Sequence, residues 1–166
     1  MLIIPSTMKV LIDADILTYK LGFALEGEPK FFVKSNLDKY IRGILEDTKC
    51  KEYQLYLTGK NNFRHTVTDT YKANRKDSPK PKYYARLREL MVRDWGAEIV
   101  DGIEADDKLG LEQTGYTMIA SIDKDLLIVS GWHFNLNSRV KDFVTDEEGD
   151  RFFYKQMLMG DNVDNI

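Results

Sequence analysis

Cysteine is almost absent from this 166-residue chain: Cys50 stands alone, so no internal disulfide can form and a reducing, cytoplasmic setting is expected. Histidine is nearly as scarce. His65 and His133 lie far apart with no Cys or His at ligand spacing, which argues against a zinc centre. A long apolar run is also missing. Met1–Ile12 is interrupted by Pro5 and Lys9 and stopped by Asp13, too short and broken for a membrane span and without a secretory layout. Met8 can serve as an alternative start, with Met1–Thr7 as a loose tail. Gly59 and Gly102 are isolated, so there is no glycine-rich phosphate loop, and no spacing suggests a nucleophile–base triad. Repeats and low-complexity segments are absent as well.

What is present suits one globular domain over residues 1–166, with 43% apolar content for its core. The net charge of −3 says little, but its distribution says more. Residues 60–93 carry ten basic and three acidic side chains, whereas residues 94–166 carry six and sixteen. A basic stretch beside an acidic one can attract a polyanion and still concentrate cations; a solvated surface helix beside an acidic surface gives the same numbers. Short apolar runs at Val10–Ile12, Gln54–Leu57, Glu98–Val100, Thr117–Ala120 and Phe134–Leu136 read as strand cores. Helical spacing separates them at Leu37–Glu46 and Tyr83–Trp95, with further helices expected near Glu104 and over Phe152–Met159. Such alternation predicts an α/β fold with a mostly parallel central sheet flanked by helices. Trp95, Trp132 and Phe152–Tyr154 read as core. Residues 61–82 break the pattern: few apolar residues, Pro79 and Pro81, and many Lys and Arg. They read as a flexible, basic, substrate-contacting excursion that ends where Pro81 opens the next helix.

Ligands of open parallel sheets bind outside the C-terminal strand ends. Asp13 follows Val10-Leu-Ile, and Asp123 and Asp125 follow Met118–Ile122. Glu104, Asp106 and Asp107 follow Glu98-Ile-Val and open a helix, and Asp161 and Asp164 close the chain. Taken singly, each acid has an ordinary explanation: helix N-termini favour Glu104 and Asp106, turns favour Asp125 and Asp164, and Asp15 reads as a helix cap. Their convergence on one edge is harder to explain, because clustered carboxylates repel unless cations lie among them. All-oxygen donors favour Mg²⁺ or Mn²⁺, and two such ions can promote phosphodiester hydrolysis while the basic segment holds phosphates.

Five segments carry a resemblance: LIDAD (Leu11–Asp15), YKANR (Tyr71–Arg75), IEADD (Ile103–Asp107), SIDKDL (Ser121–Leu126) and GDNVDNI (Gly160–Ile166). In this order and spacing the sequence resembles the 5′→3′ exonuclease and flap endonuclease family, which includes bacteriophage 5′ exonucleases and the N-terminal nuclease domain of bacterial DNA polymerase I. The resemblance runs from Asp13 to the last residue and implies a PIN-like fold. By it, Asp13, Glu104, Asp106, Asp107, Asp123, Asp125, Asp161 and Asp164 look like metal-binding acids, and Lys72 like the active-site lysine near the scissile phosphate. Asp13, Asp107 and Asp123 join Lys72 as candidate catalytic residues. Arg75 looks like a phosphate contact, and residues 61–82, with Arg64, Tyr71, Lys76, Lys80 and Lys82, match the nucleic-acid-binding arch. The implied substrate is DNA with 5′ ends or flaps, with RNA–DNA hybrids as an additional target and no membrane partner. The chain departs from the family's pattern in two places. No acid stands near Leu57-Thr58-Gly59, where the family usually has one, and no helix–hairpin–helix element follows Ile166. The second departure suggests the catalytic part of a longer enzyme, with a second polypeptide as one possible carrier of the rest. Two alternatives stay open: a nucleic-acid-binding remnant that does not cut, and a PIN-type ribonuclease acting on single-stranded RNA.

Overall fold

The computed structural model describes residues 7–67 and 79–160. Strand β1 (Lys9–Asp13) is followed by helices α1 (Ala14–Ala24) and α2 (Phe31–Thr48), then strand β2 (Glu52–Asn62) and the short helix α3 (Arg64–Val67). Helix α4 (Tyr84–Trp95), strand β3 (Glu98–Gly102), helix α5 (Ala105–Glu112) and strand β4 (Thr117–Ser121) come next. A 3₁₀ turn (Lys124–Ile128), strands β5 (Gly131–Asn135) and β6 (Lys141–Val144) and helix α6 (Asp146–Met159) complete the described chain.

The strands form one sheet in the order β3-β2-β1-β4-β5-β6, parallel except for β6. Alternation along β1 explains the layers. Val10 and Ile12 face one way, into a large core with Leu17, Leu37, Ile41 and Leu87 from α1, α2 and α4. Leu11 faces the other way and packs with Tyr56, Ile119, Ala105 and Leu109 beneath α5. Helix α2 buries Val33, Leu37, Ile41, Ile44 and Thr48, one stripe at helical period. Helix α4 stops at Gly96, whose φ of 64° is left-handed, and Ala97 N–H returns to the Met91 carbonyl at 3.0 Å.

Sequence expectations and structure differ at several points. Helix α1 follows β1 directly, ahead of the start implied by the cap reading of Asp15, and the antiparallel strand β6 was not expected from the sequence. Residues 61–67 are not irregular: β2 runs to Asn62, and α3 begins at Arg64. Pro81 lies three residues before α4, and its carbonyl accepts Tyr84 N–H at 3.0 Å. Phe153 and Tyr154 are 45% and 63% exposed rather than core, because α6 lies against the 3₁₀ turn through Gly149 and leaves its apolar side outward. Among the described residues, no helix is long and apolar enough to cross a membrane.

Candidate active site

Strands β1, β2 and β3 run to one side of the sheet and β4 and β5 to the other, so the chain direction switches between β1 and β4. Crevices form at such switch points. Asp13 ends β1 there, and Asp123 lies two residues past β4. A cavity of about 330 Å³ at this position is lined by Asp13, Asp15, Glu104, Asp106 and Asp123, with Thr58, Tyr84 and Arg88 among its other walls.

Asp13 is 4% exposed and caps α1, accepting Ile16 N–H at 3.1 Å and the Ser121 hydroxyl at 2.8 Å. Burial pushes its carboxyl up to about 7; the two hydrogen bonds oppose this, and the charges of Asp15 and Asp106 add to it. Ser121 Oγ also accepts Asp123 N–H at 3.0 Å, so one hydroxyl ties the end of β1 to the turn after β4. Asp123 in turn accepts Asp125 N–H at 2.9 Å and opens the 3₁₀ turn.

The second acid-bearing turn is built at the start of α5. Asp107 accepts Glu104 N–H at 3.1 Å, the return half of a capping box. Arg64 holds Asp107 through two guanidinium bonds of 2.5 and 2.6 Å and lies 4.0 Å from Glu104, which also accepts the Asn62 amide at 2.8 Å. Arg64 therefore faces the acids. Asp107 and Asp125 line a neighbouring groove with Arg64, and Asp125 also meets Lys124 at 2.7 Å and the Gln156 amide. Lys80 and Lys82 lie 4.6 and 4.9 Å over the rings of Tyr84 and Tyr83. Tyr71, Lys72, Arg75, Lys76, Asp161 and Asp164 lie outside the described residues. His133 is buried, with Nε2 2.8 Å from the Val129 carbonyl, and lines neither acid-bearing groove.

Several residues of the cavity were not singled out by the sequence. Asp13, not Asp15, caps α1; Asp15 instead accepts Thr58 N–H at 2.9 Å and pairs with Arg88 at 2.8 Å. Arg88 also donates to the Thr58 carbonyl at 2.6 Å, and the Thr58 hydroxyl accepts Ala105 N–H at 2.9 Å. The cause is local. β1 pairs with β2 only as far as Asp13↔Tyr56, so Thr58 extends past its neighbour and side chains take over its backbone groups. Near Thr58, where the sequence itself offers no acid, the structure brings in the Asp15–Arg88 pair. The one available signal was Arg88 at four residues from Tyr84, a cation on the helix face that carries the aromatic ring of the cavity wall.

The donors suit a hard divalent cation: they are carboxylates, and burial, with the neighbouring charges of Asp15 and Asp106, raises the pKa of Asp13 among them. Among the described residues, no three acids stand close enough together to form a closed metal shell.

The mostly parallel sheet, with acids at its switch point, has a PIN-like fold. No family model matches the chain. The 5′–3′ exonuclease of Buchnera aphidicola subsp. Schizaphis graminum is 30% identical over 192 aligned residues, covering 98% of this chain and 66% of that protein. The thermostable DNA polymerase I of Thermus thermophilus is 29% identical over 137 residues, covering 74% of this chain and 16% of that one. Among solved structures, the bacteriophage T5 D15 protein co-crystallized with metal ions matches with a TM-score of 0.77 at 15% identity, over 95% of this chain and 68% of that one. The T5 flap endonuclease in a pseudo-enzyme–product complex with DNA and metal ions matches with a TM-score of 0.70 at 18% identity and the same coverage. The chain belongs to the 5′–3′ exonuclease family. It spans just under two thirds of the exonuclease's length.

Proposed function

We propose that this chain is a divalent-metal-dependent hydrolase that cuts phosphodiester bonds of DNA at 5′ ends or flaps. One observation carries the reading: acids from β1, from the β3–α5 turn and from the turn after β4 line a single cavity at the switch point. The relatives named above include an exonuclease and a flap endonuclease bound to DNA and metal ions, which supports the substrate class. Asp13, Glu104, Asp106 and Asp123 would hold Mg²⁺ or Mn²⁺, with Asp107 and Asp125 at the adjoining groove and Asp161 and Asp164 completing the set. Two such ions, when bound, would supply an activated water and offset charge on the leaving oxygen.

The rest of the chemistry belongs to the chain. Ser121 and the α1 N-terminus orient the Asp13 carboxylate and favour its charged form. Arg64 fixes Asp107 and limits its repulsion with Glu104. Lys72 and Arg75 would meet the scissile phosphate as a point charge and a fork, with Tyr71, Lys76, Lys80 and Lys82 along the same strand. RNA–DNA hybrids present the same backbone charge and are a second target.

The test is digestion of 5′-flap DNA, blunt duplex, RNA–DNA hybrid and single-stranded RNA with Mg²⁺ or Mn²⁺, by wild type and Asp123→Asn. Flap and duplex DNA should be cut, and the variant should be slower by about 10²–10³-fold. Equal cutting by both proteins would overturn the site assignment. Binding without cutting by wild type would favour a non-cleaving remnant, a reading that the Asp15–Arg88 pair beside Thr58 motivates. Cutting of single-stranded RNA alone would point to a PIN-type ribonuclease.

A further inference from the structure

On the flank of α1 away from Tyr84, a groove of about 470 Å³ lies between α1, α2 and the β5–β6 turn. Lys20, Lys39 and Arg139 line it together with Asn36, Asn137 and Tyr40, and no carboxylate is among its lining residues. The groove is built by specific contacts. Lys20 donates to the Asn137 side chain, tying α1 to the turn. Asn135 Oδ1 accepts the N–H groups of Asn137 and Ser138 at 2.9 and 3.0 Å and so orders the turn. Arg139 sits at φ 61°, a left-handed conformation that non-glycine residues rarely adopt. Its guanidinium is fixed 5.1 Å over Phe134 and 5.6 Å over Tyr40 and pairs with Asp47 at 2.6 Å. Gly43 leaves room for it: a Cβ there would stand 3.2 Å from Arg139 Nη2.

The turn follows the C-terminal end of β5, the same sheet edge that carries the acids. Lys20 lies five residues beyond Asp15 on α1, roughly 7.5 Å along the helix, and β5 is two strand spacings from β1, roughly 9.5 Å. With one phosphate per roughly 3.4 Å of duplex axis on each strand, that is a reach of two or three nucleotides.

We propose that this groove is a second phosphate site. It would hold the backbone of the substrate nucleic acid two or three nucleotides from the acid cavity, across α1 from Lys80 and Lys82. The proposal rests on the DNA reading above. A strand would then cross the sheet edge held on both flanks, with the acids between its two anchors. Lys20 and Lys39, beside an Arg139 already held by Asp47, suit backbone phosphates and carry no base preference.

The test measures binding of a 5′-flap duplex in EDTA by fluorescence anisotropy over a range of salt, for the full chain and for Lys20→Gln/Lys39→Gln. The double variant should bind roughly tenfold more weakly, and its slope of log affinity against log salt should fall by about 1.8, near 0.9 for each lost contact. With Mg²⁺ present, its KM should rise in the same proportion. Arg139→Lys should keep the wild-type slope, whereas Arg139→Gln should lose about 0.9. If wild type binds and cuts but the double variant matches it in affinity and slope, the groove proposal is wrong and the DNA reading stands. If wild type neither binds nor cuts the flap, both fall.

Discussion

Asp13 serves two ends at once: it caps a helix, and it holds a carboxylate where water is excluded. Its pKa of about 7 in the folded protein exceeds the ordinary 3.8, so between those values the folded state keeps a proton that the unfolded chain has released. The stability this brings is complete below about pH 4 and is lost as pH rises through about 7. Thermal melts in EDTA between about pH 5 and 8 should therefore show the wild type losing stability relative to Asp13→Asn. Parallel curves for the two proteins would dismiss the buried-acid account. Divalent ions need the charged form, so their affinity should tighten as pH rises through about 7, with proton release visible in calorimetry. Asp13 was legible because it directly follows an unbroken strand core. Ser121 and Arg88 were not, since a serine in a strand and an arginine in a helix look like ordinary surface choices until the partners are known.

At the scale of elements, Thr58 is where α1, β2, α4 and α5 meet, through Asp15, Arg88 and Ala105. The Asp15–Arg88 pair is partly buried, with side chains 27% and 19% exposed, so removing one partner strands the other. Arg88→Met should cost about 1–3 kcal/mol in urea unfolding. Adding Asp15→Leu should recover much of that loss, a coupling that a double-mutant cycle reads directly. Additive losses would mean the pair is not coupled. Helices α2 and α4 were visible because each has a single apolar stripe. The extent of helix α1 was hidden because it buries Ala14, Leu17, Thr18, Leu21 and Gly22, which include a polar residue and a glycine. The early start of α6 had a signal that went unread: Thr145 and Glu148 form a capping box, with bonds of 2.9 and 3.2 Å. Strand β6 has only Phe143 and Val144 as apolar residues, and its place is set by pairing with β5.

For the whole molecule, charge is divided in space along lines the sequence blocks do not follow: Asp13 and Asp15 join Glu104, Asp106 and Asp123 in the switch-point cavity, and Lys20, Lys39 and Arg139 come together from outside the basic stretch. Divalent ions should bind the folded state far better than the unfolded chain. At about 100 times Kd they add about 2.7 kcal/mol, which is several degrees in Tm. Scanning calorimetry with Mg²⁺ or Mn²⁺ against equal ionic strength of Na⁺ checks this, and equal melting in both would argue against a divalent site. The fold class was readable from alternating elements, but the strand order was not, because crossover choice depends on packing between distant segments.

The contact between Pro81 and Gly22 links these scales. A Cβ on Gly22 would lie 2.5 Å from the proline ring, so the proline rests directly on bare helix backbone. Nine residues back along that rigid rod, roughly 13.5 Å away, stands Asp13. Gly22→Ala would therefore push the ring, and the approach to α4 behind it, off the helix that Asp13 caps.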